Sequence, residues 1–275
     1  MVVASIIADG LVSDGLVNRR LRLSCRNAIS AKKSVLFMAS NSTRILVTGG
    51  NGMLATALRA YFPMADYASH KSLDVSQWQS CRAWMNRNSY DLVIHAGAAT
   101  AHDASGQVLL NTNVVGTANM VQLSARQGAR FVYLSTDYVY PGTGQKTGYR
   151  ESDGVWPNGV YAWSKLAGEA ATQTYHKSLI VRGSWYDQLS FSRAATDAYT
   201  SKIPVTKAAG LVATLSVSTH TGVVNIGGAR RSLYEIMATE FDPKVRPCLR
   251  ADITVGYPIP ADVSLDLTRL KALLS

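Results

Sequence analysis

Short apolar runs punctuate the chain from Arg44 onward, and between them apolar residues recur every three or four positions. Arg44–Thr48, Asp91–His95, Phe131–Leu134 and Ser178–Arg182 are such runs, each followed by glycine or small residues. Their shortness and lack of polar alternation predict strands buried on both faces. A weaker run at Ala65–Ala68 supplies a second strand in chain order. The intervening stretches predict helices over 54–61, stopped near Pro63, over 112–127, ended by Gly128, and over 159–175. Strands alternating with helices predict an α/β fold, a mostly parallel sheet with helices on both faces. Beyond Gly183 the pattern loosens. A helix is expected over 207–218, a strand over 223–226, and a helix over 232–240 with Ser232 as its cap. The reading is an N-terminal extension over 1–43, a sheet domain over 44–182 and a small, shortened C-terminal lobe over 183–275, intertwined with the sheet domain.

Composition narrows the classes. With 275 residues, 47% hydrophobic and 17% charged, the chain can bury a sizeable core. Cys25, Cys81 and Cys248 are far apart and form no pair motif, which fits a reduced interior. Cys81, framed by Trp78 and Trp84, reads as packing. No run of eighteen apolar residues occurs, so no membrane partner is expected. Of the net charge of +10, six basic against two acidic residues place +4 in residues 1–43. The remainder is spread without a basic-aromatic stripe, so no nucleic-acid partner is expected; a small anionic ligand fits better. The few acids and several arginines of 1–43 resemble an organellar transit peptide, but Asp9 and Asp14 argue against one. The expected location is cytoplasmic, with organellar import through residues 1–43 as the second reading. The five histidines show no metal-ligand spacing, so no metal is expected. Arg230 and Arg231 read as a solvated turn before the helix at Ser232.

The chemistry begins at Thr48-Gly49-Gly50-Asn51-Gly52-Met53-Leu54-Ala55, between the first strand and the first helix. Gly49 permits a tight turn, Gly52 lets the backbone approach a pyrophosphate at the helix start, and Ala55 allows close helix–strand packing. The motif predicts a Rossmann-type dinucleotide site, with Asn51, Met53 and Leu54 beside the phosphates. After the second strand comes Ser69-His70-Lys71 rather than an acid, which favours NADP(H) slightly over NAD(H). Asp74, with Val75 beside it, is placed at the adenine. Tyr161 and Lys165 are four apart and share one helix face. A neighbouring ammonium is expected to lower the phenol's pKa. Thr136 lies just beyond the third long strand, at the sheet edge where ligands bind, and can hold a carbonyl beside that phenol.

Those motifs, together with His95-Ala-Gly-Ala-Ala-Thr100, Asn113-Val-Val-Gly-Thr117, Ser135-Thr-Asp-Tyr-Val-Tyr140, Pro157-Asn158, Lys165-Leu-Ala-Gly-Glu169, Arg182-Gly-Ser-Trp185 and Ser264-Leu-Asp-Leu-Thr268, resemble the extended short-chain dehydrogenase/reductases. Within them the likeness is to the dTDP-4-dehydrorhamnose reductase family. It runs from about Arg44 to Tyr186 and returns near the C-terminus. The resemblance implies an NAD(P)H-dependent oxidoreductase acting on a nucleotide-activated 4-keto-6-deoxysugar, as in dTDP-rhamnose biosynthesis, and leaves a homodimer open. It makes Thr136, Tyr161 and Lys165 the catalytic residues, with Tyr161 as proton donor. Tyr161 and Lys165 also touch the cofactor. Ala96, Gly97 and Ala98 line the cofactor, and Asn113 braces the sheet beside it. Thr100, His102, Thr136, Asp137, Tyr138 and Trp185 are the expected substrate contacts.

Departures from the family pattern keep two alternatives open. The strand that usually ends in Asn ends in His95, read as a replacement hydrogen bond. The family's Asp-Gln pair is missing, and Asp197–Val205 follows Trp185 after a shortened stretch, implying a thinner lid over the sugar pocket. One alternative is an epimerase or dehydratase of nucleotide sugars, although Thr136 is followed by Asp137-Tyr138 rather than the Asp-Glu pair a dehydratase uses. The other is a non-catalytic cofactor-binding subunit resembling the regulatory subunit of methionine adenosyltransferase, which the intact Thr136, Tyr161 and Lys165 argue against.

Overall fold

The computed structural model describes residues 42–100, 105–143, 147–256 and 259–275. The readings of residues 1–43, and of His102, fall almost wholly outside these. The apolar runs form the strands β1 (Ile45–Thr48), β2 (Asp66–Ala68), β3 (Leu92–His95), β4 (Arg130–Leu134) and β5 (Ser178–Arg182). The helices between them are α1 (Met53–Leu58), α2 (Trp78–Arg87), α3 (Gly106–Leu109), α4 (Gly116–Gln127) and α5 (Val160–Gln173). Further on come β6 (Trp185–Tyr186), β7 (Arg193–Ala195), β8 (Tyr199–Thr200), β9 (Ile203–Pro204), α6 (Val205–Val217), β10 (Gly222–Asn225), β11 (Arg231–Ser232), α7 (Leu233–Glu240), β12 (Arg246–Cys248) and α8 (Thr268–Leu274).

The main sheet has the order β10-β5-β4-β3-β1-β2, and every pair in it is parallel. Alternate strand residues enter opposite cores, which is why the runs lack polar positions. Ile45, Val47, Val132 and Leu134 pack with α1 and α6 on one face. Leu46, Phe131 and Tyr133 pack with α2 and α4 on the other, where Cys81 is buried and its thiol is pushed up to about 12, mainly by burial. The chain leaves β1 toward β2 on one side and reaches β3 on the other. The β1–β3 gap is therefore the topological switch point, where such sheets bind ligands at the carboxyl ends of their strands.

Two features differ from the expectation. Segments α6 and β10 lie within the span read as lobe, yet β10 is the sheet's edge strand beside β5. The helix expected from Thr112 starts at Gly106, where Ser105 Oγ accepts the Val108 N–H. It reaches α4 through a π-helical turn, Leu110–Val115. The polar cluster Asn111-Thr112-Asn113 breaks the 3.6-residue period there, so the apolar pattern failed to reveal the first turns. The lobe is held by small pairings, β6–β9, β7–β12 and β8–β11. Its core includes Ala194, Met237 and Val245. Ser232 caps α7 through a reciprocal capping box with Glu235. Arg230 is exposed and Arg231 half-buried, as expected of that turn, but both are paired: Arg230 with Asp262 at 2.7 Å over the Tyr199 ring, and Arg231 with Glu240 at 2.6 Å. Of the two acids, Asp262 is buried and Glu240 lies at the surface.

Candidate active site

The glycine turn sits at the end of β1, where backbone meets backbone. Gly49 has φ +67°, and a Cβ there would stand 2.7 Å from the Gly97 Cα. The turn after β1 and the turn after β3 thus touch. The Gly52 N–H donates to Gly49 O at 2.8 Å, and α1 starts without a side-chain cap. Its first N–H groups have no partner within the helix. This cradle of small residues fits a dinucleotide pyrophosphate.

A cavity of about 830 Å³ opens from this turn along the carboxyl ends of β1, β3, β4 and β5. Small-molecule sites span roughly 300–1,000 Å³. Among the sequence-expected residues, Gly49, Gly52, Met53, Leu54, Ala96 and Ala98 line it on the turn side. Thr100, Thr136, Tyr138, Tyr161, Lys165 and Trp185 line the rest. The three expected catalytic residues thus share one cavity with the glycine turn.

The helix carrying two of them is pressed onto the sheet. A Cβ on Gly168 would lie 2.3 Å from the Tyr133 hydroxyl. That approach brings the Lys165 ammonium 4.2 Å above the Tyr133 ring, and the Tyr133 hydroxyl donates to Lys165 O at 3.2 Å. One turn on, Glu169 is saturated: Arg182 Nη2 donates to it at 2.7 Å, and Ser135 also donates to it. Lys165 receives only the remaining attraction. Burial lowers its pKa to about 7, with Glu169 opposing. The expectation that the ammonium depresses the Tyr161 phenol is overturned. Burial, and then Asp137, push Tyr161 up to about 12. A phenolate sheltered from water and facing the Asp137 carboxylate is costly, so the phenol keeps its proton.

Asn113 and Asp137 are not at the cavity surface. Asn113 is buried, accepting the Ala99 N–H at 2.8 Å and donating to Ala99 O at 3.0 Å and Ser164 Oγ at 2.9 Å. Ser164 in turn donates to Tyr161 O at 2.7 Å. Asn113 therefore clamps the loop after β3 to the helix of Tyr161, and the π-helical turn aims it inward. Asp137 is fully buried behind Thr136. It accepts from Ser184, from Thr136 at 3.2 Å and from Thr200 at 3.5 Å. Burial raises its pKa, while Ser184, Lys202 and Thr136 pull it down. Thr136 Oγ1 also accepts the Tyr138 N–H at 3.2 Å. A substrate contact by Asp137 is thus replaced by a scaffold role, because Thr136 stands between it and the cavity.

His95 is buried in a chain of hydroxyls. The Gly97 N–H donates to Thr48 Oγ1 at 3.0 Å, and Thr117 Oγ1 donates to Asn113 O at 2.7 Å. The remaining contacts, His95 Nδ1 to Thr48 Oγ1 at 2.8 Å and Nε2 to Thr117 Oγ1 at 3.2 Å, then require the Nε2–H tautomer. Burial, then the Lys165 charge, lower its pKa to about 3. The histidine is a neutral bridge between β1, β3 and the π-helical turn.

Ser69, His70 and Lys71 follow β2, whose Ala68 is in register with Thr48. They sit at the same sheet edge but outside the cavity walls, as do Asn51, Gly97, Asp74 and Val75. Asp74 accepts from the Ser76 N–H at 3.0 Å and lies 3.7 Å from His70, and Val75 is in the core. Three residues escaped the sequence reading. Ser164 lies inside the Tyr161–Lys165 spacing, where it could have been sought. Arg59 stacks 4.0 Å over the Tyr67 ring and donates to Gly50 O at 3.3 Å; a basic residue at the end of α1 was its only sign. Lys202 lines the cavity from the lobe, and no local signal marks it.

A profile of the RmlD substrate binding domain matches residues 43–193. A dTDP-4-dehydrorhamnose reductase of Mycobacterium tuberculosis is 33% identical over 158 residues, covering 54% of this chain and 52% of that protein. The chain thus spans about half the length of the curated relatives it matches. The likeness in fold extends further. The dTDP-4-dehydrorhamnose reductase of Bacillus anthracis in complex with NADP has a TM-score of 0.77 at 22% identity, over 84% of this chain and 92% of that one. The Bordetella bronchiseptica enzyme WbmG in complex with NAD has a TM-score of 0.70 at 18% identity, over 85% and 88%. The profile match covers more than half of the sequence, from β1 into the first strands of the lobe, and on it the chain belongs to the RmlD substrate-binding-domain family.

Proposed function

We propose that this protein is an NAD(P)H-dependent reductase of a carbonyl on a nucleotide-activated sugar, and more finely of a 4-keto-6-deoxysugar. The observation that carries this reading is the convergence of Thr136, Tyr161 and Lys165 on the cavity that the glycine turn opens. The turn and the first residues of α1 hold the pyrophosphate, and Lys165 reaches the nicotinamide ribose. When bound, the reduced nicotinamide supplies the hydride. Tyr161 donates the proton to the carbonyl oxygen as the carbonyl carbon accepts that hydride, so ketone becomes alcohol. A phenol held at about 12 keeps its proton at neutral pH, as a donor must. Thr136 turns its hydroxyl from Asp137 to the same oxygen. Trp185 packs on the sugar. Arg59 and Lys71, flanking the end of β2, favour the 2'-phosphate of NADP(H).

The test is Tyr161→Phe, which removes one hydroxyl and keeps the ring. Loss of a positioned acid lowers kcat and kcat/KM together by roughly 100- to 10,000-fold. NADPH affinity, read by protein fluorescence, stays within about threefold. A variant that keeps more than about a tenth of kcat refutes the assignment.

A further inference from the structure

We propose that Lys202 is the anion-recognition residue of the cavity and that it binds the diphosphate of a nucleoside-diphosphate substrate. This deepens the reductase reading and rests on it for the word substrate. Two cations, Lys165 and Lys202, and no carboxylate are among the described residues that line the cavity. Lys165 is committed to the floor, beneath the catalytic phenol and over the Tyr133 ring. Lys202 is half-buried and enters from the lobe, on the turn between β8 and β9. Among the described residues its ammonium has no hydrogen-bond or ion-pair partner, so its donors are available to a ligand.

Its backbone, by contrast, is fixed. The Lys202 N–H donates to Thr200 Oγ1 at 3.1 Å, and the next residue's N–H donates to Ser184 O at 3.2 Å. Thr200 and Ser184 both donate to the buried Asp137 carboxylate, which also holds Thr136. The turn carrying the cation is therefore anchored to the same group that anchors the catalytic threonine. A cation set this way holds an anion at a fixed offset from the carbonyl to be reduced. The glycine turn and the start of α1 provide the pyrophosphate cradle for the cofactor on another wall, which leaves Lys202 for a second anion. Asp137, buried behind Thr136, feels the Lys202 charge, but no carboxylate lines the cavity with it, so the lysine is a point charge open to phosphate oxygens.

Titration of the full-length protein with UDP and dTDP by calorimetry, without cofactor, tests this. Uridine and inorganic pyrophosphate serve as controls. Lys202→Ala weakens nucleoside-diphosphate binding by roughly 10- to 100-fold, as expected for losing a charged hydrogen-bond donor. Lys202→Arg restores most of the binding. Wild-type affinity falls with added salt, and that of Lys202→Ala depends on salt much less. Uridine binding is unchanged by either variant. Pyrophosphate binding that loses as much as UDP binding supports the assignment and shows that the base adds little. Equal UDP affinity in wild type and Lys202→Ala, with both folded by circular dichroism, overturns it. So does a loss confined to NADPH binding, which would put Lys202 in the cofactor cradle. Failure of the wild type to bind NADPH would sink the reductase reading, while the UDP titration would still decide on Lys202.

Discussion

Replacing His95 by asparagine should flatten the protein's stability against acid. The folded histidine is held neutral, its pKa brought from 6.5 to about 3, first by burial and then by Lys165. In the unfolded chain it titrates normally. Between those two values the unfolded state binds a proton that the folded state refuses, so stability falls as pH falls. The slope approaches about 1.4 kcal/mol per pH unit, and the loss reaches about 5 kcal/mol by the time the folded ring would protonate. Typical domains have roughly 5–15 kcal/mol in total, so this one ring is a large share of acid sensitivity. Asp137, with its folded pKa raised, has the opposite sign above the ordinary carboxylate range. It is present in both proteins and drops out of the comparison. Asparagine still offers one donor and one acceptor toward Thr48 and Thr117, so the variant should fold with a loss of about 1–3 kcal/mol at neutral pH. Urea unfolding followed by tryptophan fluorescence at about pH 7 and about pH 4.5 gives the comparison. Wild type should lose about 2.5 kcal/mol more than the variant between those values. Parallel losses would mean that His95 is charged in the fold, and that the hydroxyl chain deduced around it is wrong.

Gly168→Ala forces a methyl to within 2.3 Å of the Tyr133 hydroxyl; a loss of about 1–3 kcal/mol in urea unfolding is expected, and Tyr133→Phe in the same chain should recover part of it. Lys165, at about 7 in the cofactor-free protein, should make kcat/KM for NADPH fall as pH rises through that value. The sign follows from needing an ammonium to hold the ribose, and a profile flat from about pH 6 to 8 would contradict it. Arg59→Ala should raise KM for NADPH by roughly tenfold and leave that for NADH within about twofold; equal effects on both cofactors would place Arg59 at a shared part of the cradle.

What the sequence revealed was local. The strand at Ser178–Arg182, the helix cap at Ser232 and the turn at Gly49 each depend on residues within a few positions, and periodicity and turn chemistry expose them. The grouping of Thr136, Tyr161 and Lys165 around one cavity was legible for the same reason: Tyr161 and Lys165 share a helix face, and Thr136 follows a strand. The hidden parts depend on residues distant in sequence. Lys202 reaches the cavity only because β9 pairs with β6. Asp137 reads as a binding residue until the fold puts Thr136 in front of it. The depressed phenol expected from a tyrosine–lysine spacing failed because spacing carries no information on burial, and here burial and the Asp137 carboxylate both raise it.

The path of the chain between sheet and lobe limits how the protein could be re-engineered. After β5 it builds β6 to β9, returns to lay α6 and β10 onto the sheet, and leaves again for α7 and β12. Residues 261–266 then return to hydrogen-bond with Tyr149 and Tyr199 before α8 docks Leu270 into the core. The lobe is therefore not a cassette. A graft at a single junction would strip the sheet of its edge strand, and a truncation before residue 261 would unpin both Tyr149 and Tyr199. New substrate preference has to be sought by changing side chains and loop tips on a backbone kept whole, with the β8–β9 turn as a place where one residue can change what the cavity accepts.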